Sequence, residues 1–365
     1  VENIGIILLG IAIGYMGMAL NQPVIAVLGI MAGLYHVLNH AMFKGLLFLG
    51  AGSVLYTTGS RNMEIMGGLA RVMPATAMCF LIGSLAISAI PPLNGFVSEW
   101  FIYQSMFSVA ITGDIVVRFF AAFAAVSLAI TGALAVTCFV KAYGVTFLGA
   151  PRSGAAANAK EVPASMRIGM IILTVMCVCL GIGAPWVAPV MQNIAAATTG
   201  QAAIAVASGL DIANPAIGSV VSTPMLAILL IACVLVPVAA RSLFSKGGVA
   251  TDRDPWACGY ALDPEMPVVA TTFAAEVKMF LKPIYAARDA VVSTAGSFQA
   301  MFGSVVSGAA KAETVGDKYV VAGTASFVNW ISKQVQKIEG GNFRVYIIYI
   351  VVALVFFLAL AVLMK

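Results

Sequence analysis

The sequence predicts an all-α fold: a polytopic transmembrane helix bundle with one discontinuous helix and a long C-terminal amphipathic, lateral helix region. Three observations carry this. Of the 365 residues, 61% are hydrophobic and 10% charged. The mean hydropathy is +1.00. Apolar stretches of about 18 residues recur, each long enough to cross ~30 Å of hydrocarbon as a helix. Such runs exclude the short alternating strands of a β-barrel.

Taken in order, the expected crossings are 3–20, 24–57, 74–90, 96–112, 115–148, 167–190, 223–243 and 344–364, eight in all. The opening string VENIGIILLG enters its helix without a basic region or cleavage site, as a piece of a longer chain would. Separators are Asn21-Gln22-Pro23, Gly59 to Arg71, Pro91-Pro92-Leu93-Asn94-Gly95, and the polar run Pro151 to Arg167. Gln192 to Thr223 contains no Lys or Arg, whereas Arg152, Lys160 and Arg167 flank one loop and Arg241, Lys246 and Arg253 another. The positive-inside rule makes the latter two cytoplasmic. Alternation through eight crossings then makes 58–73 external, against which Arg61 and Arg71 weigh.

Between 270 and 340 the pattern changes. Phe273, Val277, Phe280, Ile284, Arg288, Val291, Phe298, Phe302 and Val305 recur mostly at three- or four-residue steps, with Lys278, Lys282 and Asp289 on other faces. This is an amphipathic helix lying along a membrane surface or along partner subunits. Pro283 and the glycines favour two or three helices joined by bends as the alternative.

The net charge is +5, but the basic residues sit in loops and near helix ends, so membrane topology explains them and nucleic acid is not an expected partner. The six cysteines lie mostly inside apolar helices without metal-ligand spacing. They read as small hydrophobes.

Two constellations carry chemistry. His36, His40 and Lys44 recur at four-residue spacing in HVLNHAMFKGLLFLGAGSV. On a helix they drift only ~40° per step and lie ~6 Å apart along one stripe. Ionisable groups at membrane depth usually face a bundle interior or a hydrated path, which points to a proton or ion relay. The second constellation is AISAIPPLNGFVSEW, where Pro91, Pro92 and Gly95 interrupt the helix just before Ser98 and Glu99. Freed backbone at membrane depth is tolerated where protein or water covers it, and such breaks mark ion paths in transporters. Burial disfavours charge on Glu99 and Lys44 while closeness favours it, so a small change of distance or hydration between them moves a proton. Lys141, in TCFVKAYGVTFLG, is a secondary relay candidate that a snorkelling role explains equally well. Glu2, Glu64, Asp114 and Arg118 sit at or near segment ends, and the latter three read as interfacial.

HVLNHAMFKGLLFLGAGSV, MGGLARVMP, AISAIPPLNGFVSEW and FVKAYGVTFLGAPRS, covering residues 1 to about 190, resemble the antiporter-like membrane subunits of respiratory complex I and related hydrogenases. VENIGIILLG, ACGYAL and GNFRVYIIYIVVAL look most like the large membrane subunit of formate-hydrogenlyase-type nickel–iron hydrogenases. The resemblance implies two inverted five-helix repeats, of which this chain holds the second in 1–150, with its relay helix at 24–57 and its broken helix around 91–112. Further transmembrane helices would follow in 151–243, a cytoplasmic loop and lateral helix in 244–343, and a C-terminal transmembrane helix in 344–365. It implies Lys44 as the central relay lysine, His36 and His40 bridging toward it, and Glu99 at the broken-helix position, which is Lys in several relatives and Glu in others.

The function implied is proton translocation by a subunit of a redox-driven complex of the formate hydrogenlyase, membrane-bound hydrogenase or NADH-quinone oxidoreductase type. No cofactor is expected in this chain. The expected partners are other membrane subunits, the lipid bilayer, and peripheral redox subunits carrying iron–sulfur clusters, with a NiFe centre in the hydrogenase case. The expected location is the inner (cytoplasmic) membrane. Two alternatives stay open: a subunit of a multi-subunit Na⁺/H⁺ antiporter, or a structural clamp with a vestigial relay.

Overall fold

The computed structural model describes residues 2–244, 269–283, 285, 286 and 330. It divides into units of residues 1–277 and 278–365, and the bundle belongs to the first. In chain order the elements are α1 (Glu2–Ala19), α2 (Pro23–Thr58), a 3-10 turn at Met63–Ile65, α3 (Leu69–Val72), α4 (Pro74–Ile87), α5 (Asn94–Thr112) and α6 (Ile115–Phe147). They continue as α7 (Gly154–Ala157), α8 (Ala164–Ile182), α9 (Ala184–Thr199), strands β1 (Ala207–Ser208), β2 (Asp211–Asn214) and β3 (Ser219–Val221), α10 (Thr223–Phe244) and α11 (Ala270–Phe280). Among the described residues, five helices are long and apolar enough to cross a membrane: α1, α2, α6, α8 and α10. The chain is a polytopic helical membrane protein.

α1 and α2 form an antiparallel hairpin packed through glycines. Gly10, Gly14 and Gly17 face Gly29, Gly33 and Ala26, and a Cβ at Gly29 would collide with the backbone of Gly14. Small residues let helix backbones approach closely where lipid supplies no hydrophobic drive for association. Gly29→Leu should therefore pry the hairpin apart at a cost of about 3 kcal/mol or more. The readout is a lower unfolding temperature in detergent, and an unchanged one would contradict this packing.

α4 and α5 correct the expected count. Gly50 of α2 meets Phe80 of α4, and Leu46 and Leu47 meet Gly83. Further back along α2, Asn39 bonds to Asn94, and His36 to Ser98, on α5. The pair thus runs antiparallel to α2 as one crossing, interrupted at residues 88–93, and not as the two expected spans 74–90 and 96–112. Ala89 takes a left-handed backbone conformation, with φ of 52°. Pro91 and Pro92 cannot donate to a helical ladder, so helix resumes only at Asn94.

The expected span 167–190 is also two helices. α8 ends at Ile182, and α9 begins past Gly183 with Pro185 in its first turn. Proline is well placed there because first-turn N–H groups have no intrahelical partner. Gly181 packs against the backbone of Pro92 to Asn94, where a Cβ would clash. The two interruptions therefore touch, at one depth in the bundle. They divide two apolar cores, one containing Ile25, Leu28, Val97, Phe101 and Ala188, the other Phe43, Leu46, Leu69, Met73 and Cys177.

The loops on either side of α4–α6 meet at one end. Arg152 donates from Nε to the Glu64 carbonyl at 2.9 Å and from Nη2 to those of Met63 at 2.9 Å and Val145 at 2.7 Å. Burial pulls the Arg152 pKa down from its ordinary value, and Glu64 pushes it back up. The Glu161 carboxylate accepts from Ala75 N at 2.8 Å, Thr76 N at 3.3 Å and Thr76 Oγ1 at 2.5 Å, satisfying the first turn of α4. Residues 59–73 and 148–163 are thus on the same side of the bundle, which corrects the expected external placement of 58–73. With α4–α5 as one crossing, Arg61, Arg71, Arg152, Lys160 and Arg167 all gather at that end, the one-sided distribution that the positive-inside rule describes.

At the opposite end the loop expected between 192 and 223 holds a three-stranded antiparallel sheet, with Ala207 opposite Ile212 and Ile212 opposite Val221. Ile212 and Val206 enter the first apolar core. Fully buried Asn214 donates to Ser108 Oγ at 2.9 Å and to the Gln104 carbonyl at 3.2 Å, seating the sheet on α5. α11 is helical where the amphipathic pattern begins. Most of 281–340 and the final span 344–364 lie outside the described residues.

Candidate functional site

The candidate site occupies the waist between the two apolar cores. His36 lies on the unbroken helix α2, is 1% exposed, and has both ring nitrogens engaged. Nδ1 is 3.0 Å from Ser98 Oγ on α5, and Nε2 is 3.2 Å from Asn3 Oδ1 on α1. One turn further, the Asn39 amide donates to the Asn94 carbonyl at 2.7 Å and to Ser98 Oγ at 3.0 Å, while Asn94 Nδ2 returns a longer bond of 3.4 Å to the Asn39 carbonyl. The two asparagines clasp the start of α5 against the middle of α2. Their Oδ1 atoms are buried without a donor among the described residues and retain accepting capacity.

Tyr35 donates to the Leu180 carbonyl at 2.7 Å, tying the end of α8 to α2 at the same level. Through Gly95 the α5 start sits so close to the Ala86 carbonyl that a side chain there would collide with it. At the break the Asn94 carbonyl accepts from Asn39, and those of Leu85 and Ile90 accept from the N–H groups of Ile90 and Leu93, the condition under which such backbone survives at membrane depth.

The charged groups divide around this layer. Glu99 follows Ser98 on α5 and is 7% exposed. Glu2, at the start of α1 beside Asn3, lies within Coulombic range of both Glu99 and Lys44. Lys44 is half-buried, with its ammonium 5.8 Å from the centre of the Phe48 ring, and lies within Coulombic range of His40. The site therefore holds two carboxylates, an ammonium and two imidazoles, of which Glu99 and His36 are buried where charge is weakly screened. A proton added to one of these groups changes the energy of ionising the others.

The expected residues are partly brought together. The α2 stripe faces the bundle interior at His36, but the Phe43 ring lies 6.0 Å from the His36 ring and 5.6 Å from the His40 ring, and the bonds of His36 run to α5 and α1. Glu99 stands beside the level of His36, whereas Lys44 is two turns, ~12 Å, further along α2. Glu2 supplies the intervening charge. Lys141 lies on α6 four residues before Val145, whose carbonyl Arg152 holds at the basic end. Cys138 and Phe139, just before it, line a cleft shared with Glu2, so Lys141 stands between that cleft and the basic end. Pro91 and Pro92 lie in the break, whereas Gly95, expected there too, is the second residue of α5.

Sequence reasoning passed over Glu2, Asn3, Asn39, Asn94 and Ser98. Asn39 carries the clearest signal: a neutral amide three residues from His36, inside an apolar helix, needs partners when buried. An open cleft of about 770 Å³ between α1 and α6, lined by Glu2, Ser127 and Thr131 among apolar side chains, reaches this region. Among the described residues no cluster of His, Cys, Asp and Glu has the makings of a metal site.

Residues 7–127 match the family described as NADH:quinone oxidoreductase/Mrp antiporter, transmembrane. Hydrogenase-4 component B of Escherichia coli K12 is 39% identical over 97% of this chain and 53% of its own length. Formate hydrogenlyase subunit 3 of the same organism is 45% identical over 78% of this chain and 44% of its own. The chain thus spans about half the length of the curated relatives it matches. A structure of the membrane-bound sulfane sulfur reductase, an archaeal respiratory membrane complex, shares the fold, with a TM-score of 0.57 at 22% identity over 91% of this chain and 48% of that one. The resemblance read from the four sequence strings is borne out.

Proposed function

With residues 7–127 belonging to the NADH:quinone oxidoreductase/Mrp antiporter transmembrane family, we propose that this chain carries protons across the membrane as part of a redox-driven complex of the hydrogenase-4 or formate hydrogenlyase kind. The observation that carries the reading is the buried contact between His36 and Ser98 at the helix break, with Glu99, Glu2 and Lys44 around it. An apolar bundle keeps such a layer at several kcal/mol of desolvation, which a purely structural crossing has no need of.

In this reading Lys44 and His40 exchange protons with the basic, cytoplasmic side. His36 and Glu99 pass them through the break, with Ser98 bonded to the His36 ring, and Glu2 couples the two groups electrostatically. Redox chemistry belongs to peripheral partners with iron–sulfur clusters and a NiFe centre, and other membrane subunits flank the chain in the inner (cytoplasmic) membrane. Moving one charge against 100 mV takes about 2.3 kcal/mol, the scale of modest shifts in proton affinity.

The test is the complete complex in sealed vesicles with a pH-sensitive dye. Its redox substrates should drive proton movement at the same rate when sodium is replaced by choline. No pH change during turnover would sink the proposal. The same family description also covers Mrp antiporters, and strict sodium dependence without redox drive would select that reading.

A further inference from the structure

His36 offers one acceptor and one donor site when neutral, and its neighbours decide which is which. Asn3 presents its amide oxygen to Nε2 at 3.2 Å, and an oxygen without a proton accepts only. Nε2 is therefore the protonated nitrogen, and Nδ1 carries the lone pair. Ser98 stands 3.0 Å from that lone pair, and its oxygen already accepts the Asn39 amide at 3.0 Å. The Ser98 proton is then free to point at Nδ1. The result is a directed chain of donors: Asn39 to Ser98, Ser98 to His36, His36 to Asn3.

Ser98 also has two other acceptors in reach, the carbonyls of Gly95 at 3.2 Å and Asn94 at 3.4 Å, in the first turn of α5 directly after the break. One hydroxyl proton cannot serve all three. If Nδ1 gains a proton, the ring becomes a donor on both nitrogens, Ser98 Oγ becomes its acceptor, and the hydroxyl must turn onto the Gly95 or Asn94 carbonyl. No proton is lost by Ser98: the added proton stays on Nδ1, and the serine only swings its own. His36 and Ser98 keep their hydrogen bonds in both arrangements, so the two states differ in charge without orphaning either side chain.

We propose that Ser98 is a positioning residue that holds His36 in the Nε2–H form and transmits the ring's charge to the start of α5, one residue before Glu99. This rests on the proposed function in one respect: the proton that charges the ring is one of those being carried. The titratable groups on the packed helices around the ring are His40 and Lys44 on α2, Glu99 on α5 and Glu2 on α1. Swinging the hydroxyl turns its dipole from the ring to the first turn of α5, on the residue next to Glu99. The carboxyl group is thereby told the state of the imidazole without touching it.

The experiment uses the whole complex labelled with ¹⁵N-histidine, with His36→Gln assigning the His36 ring signals by their disappearance. The parent should show a protonated Nε2 and a hydrogen-bonded, unprotonated Nδ1. Ser98→Ala should move the Nδ1 signal toward that of a free acceptor and lower protons carried per redox turnover, and Ser98→Thr should restore both. With ¹³C-glycine, acidification that charges the ring should lower a glycine carbonyl frequency in the parent and not in Ser98→Ala. A protonated Nδ1 in the neutral parent overturns the proposal without any variant needing to fold, and so does an Nδ1 signal unmoved by Ser98→Ala. Failure of the parent to carry protons at all counts against the proposed function, while the ring signals judge Ser98 independently.

Discussion

Lys44→Met should reduce redox-driven proton movement by about 100-fold or more, the usual loss when a positioned acid–base group is removed. Methionine matches the lysine stem in length and fills the same half-buried space beside Phe48, so packing is preserved while the ammonium is deleted. Glu2 loses its cation, and the path between the basic side and His40 loses its exchangeable proton. Redox turnover in the partner subunits should continue at a reduced rate, because no electron passes through this residue. Lys44→Arg sharpens the result: guanidinium keeps the charge but does not release its proton in proteins. It should retain assembly and still fail to move protons. Full dye response from Lys44→Met in sealed vesicles would remove the residue from the mechanism.

Gly95→Ala should have the next largest effect, and it acts through shape. The added methyl would enter the position of the Ala86 carbonyl oxygen, backbone against backbone, where no rotamer relieves it. Either α5 moves away from the end of α4 or the break rearranges, at a cost of about 1–3 kcal/mol or more. Asn94 and Ser98 sit one and three residues away, so the shift reaches the bonds to Asn39 and His36. Thermal unfolding of the purified complex should occur at lower temperature, and proton movement per turnover should fall even in the fraction that assembles. Gly144→Ala is the control, because nothing lies near its missing Cβ and it should be silent. Equal stability and equal coupling in the two variants would show that the close approach at Gly95 is not maintained.

Hydropathy made the long helices legible, since α2, α6 and α10 are uniform apolar runs close to their expected limits. It misjudged 74–112 for a physical reason. Each half of the broken crossing is apolar and nearly long enough to be counted as a span, and nothing local states that the second half continues along the same neighbour. That is fixed by α2, through Gly50, Leu47, Asn39 and His36 in sequence. Arg61 and Arg71 were the warning, being basic residues on a side where eight crossings left no place for them. The small sheet escaped because strands of two to four residues are too short to develop a period. At the site, titratable residues advertised themselves by their rarity in an apolar chain. The neutral partners did not: Asn3, Asn39, Asn94 and Ser98 acquire meaning only when three separate helices bring them within bonding distance.

The contact between Gly181 and the Pro92–Asn94 backbone has a mechanical corollary. It stacks the two helix interruptions in one plane, where directional polar bonds join α2, α5 and α8. Sliding of one slab of the bundle over the other would exchange hydrogen bonds there. α2 threads both slabs as a continuous rod and sets how far such a slip can travel.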